Sequence, residues 1–492
     1  MSRQLKYVDP LRNPRFASED VRNRRGWVLL LTSALIPGSV QTMLGNRKMG
    51  RFALRVTLVT WALLFVVLVL AIVRKQWLIS LATSSFVLIP LMAFAVLLGV
   101  VWVLCLLDTV RLIRVASLGK RTRPVFLSAA LVSVLVVGGA FTYGVTTLNS
   151  GRQLLNNIFN SRKVEKAVDG RYNVALLGSD AGKGRTGVRP DSLSVVSIDA
   201  KTGAAVSIGL PRNMQNVPFP KGSPLAKEYP NGYNCGDDCL LNAVYQLGED
   251  NASLFPDDGP PAGVQATKQA MEGVTGLKIQ YYAMIDLKGF EQLIDAMGGI
   301  KLTSHVRVPI SSKTNKRTGK HGPPKGWIEP GENIHLDGYH ALWYARSREF
   351  ASDYERMTRQ RCVQEAMLTQ LDPATVLSRF QQIAGAAPNV VSTDVPRSQL
   401  DYFVDLAQKT RDHKLGKLNL SPPRVKPSHP DFDKAHSLVQ DAIKKSEEDD
   451  QKDKQGLGAP ADVSYYAMGA DTLAAPESND DDAKDKEICE VK

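Results

Sequence analysis

Within eighteen positions, YARSREFASDYERMTRQR (344–361), the chain sets Arg346, Arg348, Arg356, Arg359 and Arg361 around Asp353. A guanidinium is a planar fork of donors that meets phosphate oxygens two at a time. The ARSR run closes one helical pattern and precedes another, so Arg346 and Arg348 are not explained by a solvated helix face. A pyrophosphate has enough acceptor oxygens to use several such forks. For Glu355, Arg356, Arg359 and Arg361 the plainer reading is a helix-face network, each pair contributing about 0.2–0.5 kcal/mol. Asp353 then either orients arginines or caps the second helix near its N-terminus.

Upstream, Asp180 follows the apolar run YNVALLG (172–178) and Asp191 opens the run SLSVVSID (192–199). If the two runs pair as an antiparallel hairpin, both carboxylates reach one end of a sheet. Neighbouring carboxylates repel unless a cation or an arginine pairs with them. A magnesium ion takes one or two carboxylates together with phosphate oxygens and water. Read singly, Asp180 is an ordinary turn residue and Asp191 a strand-edge gatekeeper. Arg189 lies two positions before Asp191, and Arg212 ends a third run, AVSIGLP (205–211). GKGRTG (182–187) fits G-x-G-x-x-G, but a strand follows it where a dinucleotide site requires a helix.

The elements that must position these residues alternate in type. YYAMIDL and IKLTSHV flank the helical pattern LKGFEQLIDAMGG, which Gly298-Gly299 should stop. DGYHALWYAR and DYERMTRQRCVQEAMLTQL read as helices. The expectation is an α/β domain over 171–445, a mixed central β-sheet flanked by helices. No 20–50-residue repeat is visible. From about 446 the chain is acidic, small-residue and Pro-rich, and 446–492 is expected to be a disordered tail.

The order LLGSD, RPDSLSVVSID, SIGLPRN, then LDGYHALWYARSR with SDYERMTRQ resembles the LytR–CpsA–Psr family of cell-wall ligases over about 165–445. The resemblance implies transfer of a glycopolymer-1-phosphate from a polyprenyl-pyrophosphate carrier to peptidoglycan, with Mg²⁺ or Mn²⁺, on the outer face of the membrane. It implies metal-associated roles for Asp180 and Asp191, and pyrophosphate binding by Arg189, Arg212, Arg346, Arg348, Arg356 and Gln360. Arg361 lies beyond the matched motif and is expected to matter least. Two departures stand out: Asn213 follows Arg212 where the family has Asp, and Pro190 precedes Asp191 where it has Ser. Two alternatives use the same residues, a polyprenyl-pyrophosphate hydrolase and a non-catalytic lipid-binding regulator of envelope assembly. The polyprenyl chain should lie in an apolar groove beneath the sheet.

The chain is 492 residues long with a formal charge of +12. Residues 1–149 hold 18 Lys and Arg against four acidic residues, so the remainder is slightly acidic. The basic excess sits beside apolar stretches and not on the folded domain, which argues for membrane topology and against nucleic acid. Expected spans are 52–73, 77–107, where Pro90 could kink the helix, and 127–148. A weaker segment, 26–44, is broken by Pro37-Gly38 and reads as re-entrant, between a basic arm (1–25) and the spans; 150–170 reads as a linker. Lys and Arg crowd the arm, the 45–51 loop and the 108–124 loop, placing these inside and the domain outside.

Cys105 falls in a span, while Cys235, Cys239, Cys362 and Cys489 are external, where disulfides persist. Their pairing stays open, with Cys235–Cys239 and Cys239–Cys362 both considered. C-x3-C without a second pair or suitable histidines does not make a zinc site. The charge distribution generates the first prediction. In intact cells a membrane-impermeant thiol reagent should modify a cysteine engineered near residue 225 and spare one near 115; labelling at 115 alone would invert the topology.

Overall fold

The hairpin anticipated from the two apolar runs forms the centre of a mixed sheet. The structure, a computed structural model, describes residues 17–73, 81, 85–158, 164–179, 189–310, 322–370, 391–411, 413–454 and 488–491. These divide into two compact units, Met1–Gln153 and Leu154–Lys492.

In the first unit α1 (Glu19–Leu35) and α2 (Ser39–Leu44) are separated at Pro37-Gly38, and α3 (Arg47–Val73), α4 (Ser85–Ile113) and α5 (Thr122–Ile158) follow. Gly38 has φ 92°, and a Cβ there would stand 2.7 Å from the Gly50 carbonyl oxygen, so the break needs glycine. Among the described residues three helices are long and apolar enough to cross a membrane: Arg47–Val73, Val87–Ile113 and Thr122–Gln153. The boundaries differ from those read by hydropathy. Helix α1 starts inside the basic arm, and α4 runs through Pro90 to Ile113, shortening the 108–124 loop. Helix α5 continues to Ile158, well into the expected linker. Hydropathy marks where a helix is apolar, whereas a helix ends only where capping or breaking residues end it.

In the second unit β1 (Arg171–Ser179), β2 (Pro190–Asp199), β3 (Ala205–Leu210), α6 (Ala262–Thr275), β4 (Tyr281–Asp286), α7 (Leu287–Met297), β5 (Ile300–Ser304), β6 (Val308–Ile310), β7 (Gly326–Ile328), β8 (Gly331–Leu336), α8 (Gly338–Arg346), α9 (Asp353–Gln370), β9 (Val391–Thr393), α10 (Leu400–Arg411), β10 (Gly416–Asn419), α11 (Phe432–Lys454) and β11 (Cys489–Glu490) follow in order. The main sheet has the order β10-β3-β2-β1-β4-β9. Its β1–β2, β2–β3 and β4–β9 pairs are antiparallel, and β1–β4 and β10–β3 are parallel. The fold is therefore a mixed sheet flanked by helices. Strand alternation divides its faces. Ala175, Leu177, Leu193 and Val195 point into a core shared with Val264 and Met271 of α6 and Val439 of α11. Val174, Leu176, Val196 and Ile198, on the opposite face, are only half-buried. A second core joins α7, α8, α9 and β5 through Ile294, Ile300, Leu302, Tyr344 and Val363.

The expected C-terminal stop at Gly298 is present, with φ 90°. The expected disorder from 446 is corrected at both of its ends. Helix α11 continues to Lys454 because Ala435, Val439 and Ile443 dock on the core, and Glu447 pairs with Arg171 at 3.0 Å. At the far end β11 pairs antiparallel with β5, and Cys489 is disulfide-bonded to Cys362 of α9. Cys235 pairs with Cys239. Composition reports what a segment can bury by itself; it does not report a covalent tether to another element. Residues 455–487 of the expected tail lie outside the described residues.

A cross-link that closes a longer loop removes more freedom from the unfolded chain. Cys489→Ser, which opens a link spanning 127 positions, should lower stability by about 2–4 kcal/mol. Cys235→Ser, which opens one spanning 4, should cost less. Thermal unfolding of the oxidised full-length protein measures both, and the reverse ranking would contradict the tethering role.

Candidate active site

Pairing of β1 with β2 brings Gly178 opposite Ser192 and Ser179 opposite Pro190, across an irregularity in the register. A Cβ on Gly178 would lie 2.9 Å from that of Ser192, so the glycine allows the strands to close beside Asp191. Asp191, the second residue of β2, stands half-buried at this end of the sheet. Asp180 lies outside the described residues. Pro190 is buried as the first residue of β2.

Arg212, just beyond β3, reaches Asp191 with Nη1–Oδ1 at 2.5 Å and faces Asp353 with Nε–Oδ1 at 3.6 Å. Asp353 in turn holds Arg356 through Oδ2–Nη2 at 3.0 Å. Carboxylates and guanidinium groups thus alternate from the sheet to α9. Arg356 is almost fully buried, and burial lowers its pKa against the opposing pull of Asp353. Asp353 orients arginines, while the cap belongs to Ser352. The Glu355 amide donates to Ser352 Oγ at 3.2 Å and Glu355 Oε2 accepts from the Ser352 amide at 2.6 Å, a reciprocal capping box.

The helix-face reading of the remaining arginines does not hold. Arg359 is 2% exposed and Arg361 4% exposed, so neither decorates a solvated surface. Arg359 donates from Nη1 and Nη2 to the carbonyl oxygens of Tyr344 and Ser347, tying α9 to the end of α8. Burial pushes its pKa down to about 10, which leaves it cationic at neutral pH. Arg361, which lies beyond the matched motif, is a buried residue of α9. Asn213 meets the Tyr354 hydroxyl in a hydrogen bond, which gives it a place at the start of α9.

Beneath the sheet lies a cavity of about 550 Å³. Its walls are apolar: Leu176, Val196, Ile285, Phe290, Met367 and Leu406 come from the half-buried sheet face and from α7, α9 and α10. Its polar residues include Asp191, Arg346, Arg356 and Gln360. Arg346 ends α8 with its guanidinium 5.5 Å from the Trp343 ring centroid. Arg348 is exposed in the α8–α9 connection, and its charge acts on Arg356. The structure therefore gathers Asp191, Arg212, Arg346, Arg348, Arg356 and Gln360. Arg189 is exposed before β2, where its charge acts on the Tyr233 hydroxyl, and it does not line the cavity. Sequence reasoning missed the cavity walls and the capping box. The box had a visible signal, Ser352-x-x-Glu355, whereas the walls had none that separates them from core.

Among the described residues three carboxylates, Asp191, Asp286 and Asp353, and four guanidinium groups, from Arg212, Arg346, Arg348 and Arg356, gather at the cavity and its mouth, with Asp286 also capping α7. The excess of positive charge at an apolar cavity suits an amphiphile with an anionic head. Among the described residues no group of three or more His, Cys, Asp or Glu could hold a metal. One oxygen of Asp191 is paired with Arg212, and a carboxylate has a second. That donor set fits a magnesium ion completed by phosphate oxygens and water better than an all-protein cage.

A family model, the LytR_cpsA_psr family, matches residues 141–438. The polyisoprenyl-teichoic acid–peptidoglycan teichoic acid transferase TagU of Bacillus mycoides (strain KBAB4) is 22% identical over 287 residues, covering 56% of this chain and 80% of that one. Biofilm regulatory protein A of Streptococcus mutans is 25% identical over 291 residues, covering 57% of this chain and 64% of that one. Among solved structures, B. subtilis TagV aligns with a TM-score of 0.39 at 21% identity, covering 58% of this chain and 99% of that one.

The geometry separates structural from available arginines. Arg359→Lys cannot keep both carbonyl bonds and should destabilise the protein by about 1.5–3 kcal/mol, the range for hydrogen bonds to charged groups. Arg348→Lys, on the surface, should stay within about 0.5 kcal/mol. Denaturant unfolding measures both, and equal stability of the two variants would remove the distinction.

Proposed function

Because this chain belongs to the LytR_cpsA_psr family, we propose that it is a membrane-anchored phosphotransferase that moves a glycopolymer-1-phosphate from a polyprenyl-pyrophosphate carrier to peptidoglycan. The observation that carries this reading is the apolar cavity with Asp191, Arg346, Arg356 and Gln360 among its lining residues. A polyprenyl chain occupies the apolar walls, and its pyrophosphate meets the guanidinium groups. TagU relatives, named as transferases of teichoic acid to peptidoglycan, support the reaction class.

In this reading a hydroxyl of a peptidoglycan sugar attacks the phosphorus that bears the glycan. A new P–O bond forms, the P–O–P bridge breaks, the hydroxyl proton is released and polyprenyl phosphate leaves. Arg346 and Arg356 hold the phosphate oxygens in place, and Arg212, fixed by two carboxylates, is already oriented before substrate arrives. Asp191 and Asp180 would hold Mg²⁺ or Mn²⁺. When bound, the cation would neutralise charge on the pyrophosphate oxygens. The walls exclude water from one side of the reacting phosphorus, which favours transfer over hydrolysis. Three crossings by α3, α4 and α5, with the N-terminus inside and the second unit outside, would bring the site to carrier lipid and wall together; the loop charges support this arrangement.

The test incubates the full-length protein in proteoliposomes with carrier-linked glycan, Mg²⁺ and peptidoglycan chains. A glycan–peptidoglycan phosphodiester is expected. Free phosphate products would identify a hydrolase, and binding without turnover a regulator. Asp191→Ala should abolish Mg²⁺-dependent transfer in a folded protein. Arg346→Lys and Arg348→Lys should each lose at least about ten-fold, roughly 1.4 kcal/mol, because Lys keeps the charge and loses the fork. Wild-type activity in both Lys variants would exclude the clamp.

A further inference from the structure

The connection between α8 and α9 carries a side chain that phosphate chemistry does not use. Phe350 is 85% exposed. Its backbone has φ 60°, a region that bulky residues avoid. The ring is not isolated, because it stacks on Trp327 of β7 with centroids 6.0 Å apart and planes 24° from parallel. Arg307, just before β6, lies over Trp327 with its guanidinium carbon 4.1 Å from the ring centroid. Glu329 holds that guanidinium, accepting from Nη2 at 2.8 Å and from Nε at 2.9 Å. Arg307, Trp327 and Phe350 therefore build one stack, with the half-buried Trp327 between a charged group over its ring and the exposed Phe350, which forms an aromatic shelf. Phe350 is two residues from Arg348, at most about 7 Å of extended chain, so the shelf adjoins the arginine cluster.

We propose that Trp327 and Phe350 form a carbohydrate subsite that takes a pyranose ring of the glycan being joined, with Arg307 and Glu329 as partners for its hydroxyls. The proposal rests on the transfer reading above and names where a sugar sits. A pyranose presents a face of weakly positive C–H bonds, which matches the negative face of an aromatic ring. Its hydroxyls project around the rim, where charged acceptors and donors can meet them. A lipid chain would instead require enclosure on several sides, which the cavity beneath the sheet provides and this shelf does not. The same chemistry has two sources, the sugar next to the pyrophosphate of the donor and the sugars of the acceptor strand.

Full-length protein in detergent is titrated with three probes: chitotetraose for the acceptor, farnesyl-diphosphate-N-acetylglucosamine for the donor, and farnesyl diphosphate as the sugar-free control. Calorimetry gives the affinities for wild type and for Phe350→Leu, Phe350→Trp and Trp327→Leu. The expected result is a loss of at least ten-fold for Phe350→Leu and Trp327→Leu with one or both sugar-bearing probes, and retention by Phe350→Trp. Affinity for farnesyl diphosphate should not change. Loss with chitotetraose assigns the shelf to the acceptor; loss with the sugar-bearing diphosphate assigns it to the donor. Wild-type affinity of Phe350→Leu for both sugar probes, equal losses in the Leu and Trp variants at position 350, or no sugar binding by wild type would each overturn the proposal. Because Phe350 is largely solvent-exposed, its variants report on binding even if Trp327→Leu fails to fold. A failed transfer assay alongside intact sugar binding would count against the transfer reading and leave the shelf standing.

Discussion

Arg212 sits between two carboxylates, and the geometry of the site depends on that position. Its guanidinium closes on Asp191 at the end of the sheet and faces Asp353 at the start of α9. Strand and helix contribute to separate cores, and beside Met357 near Gly209 and the Gln364–Ser194 hydrogen bond this charged chain joins them at the site. Asp353 also anchors Arg356, whose burial would otherwise disfavour its cationic form. Removing one member of such a chain leaves a desolvated charge behind, which costs more than the pair itself contributes.

The arginines of α9 divide by what their donors meet. Arg359 spends its donors on carbonyl oxygens of the preceding helix and loop, so it is satisfied by the protein alone. Arg356 pairs with Asp353 among the described residues and is also drawn by the charge of Asp191, and its Nε has no hydrogen-bond partner there. A site whose cations outnumber its anions is prepared for an incoming anion and need not rearrange to receive it. The capping box at Ser352 and Glu355 fixes where α9 begins, and with it the turn of helix on which Arg356 and Gln360 stand.

Much of this was legible in the sequence. The β1–β2 hairpin followed from β-branched runs between turn signals, and the stop of α7 from Gly298-Gly299. Positions at element ends singled out Asp191, Arg212 and Arg346, whereas Arg356 and Gln360, inside α9, were implied only by the family resemblance. What escaped depended on three-dimensional context. Arg359 and Arg361 have the composition of a surface face, and only the packing of α8 and β5 against α9 puts them inside. Val174 and Ala175 are adjacent small apolar residues, yet one lines a cavity and the other is core. No local pattern distinguishes them. Cys489 lies 127 positions from Cys362, and four cysteines allow three complete pairings, so this link could not be chosen from spacing.

The alternation along β1 and β2 has a consequence for how such a protein can diverge. Positions 175, 193 and 195 face the core, while 174, 176, 196 and 198 line the cavity and Leu177 belongs to both. Core packing and cavity shape are thereby assigned largely to alternate residues of the same strands. A substitution that widens or narrows the cavity leaves its neighbour in the core untouched. The shape of the cavity can therefore be retuned through one register of side chains with little disturbance of the core, because the pleat keeps most of the two sets of positions apart.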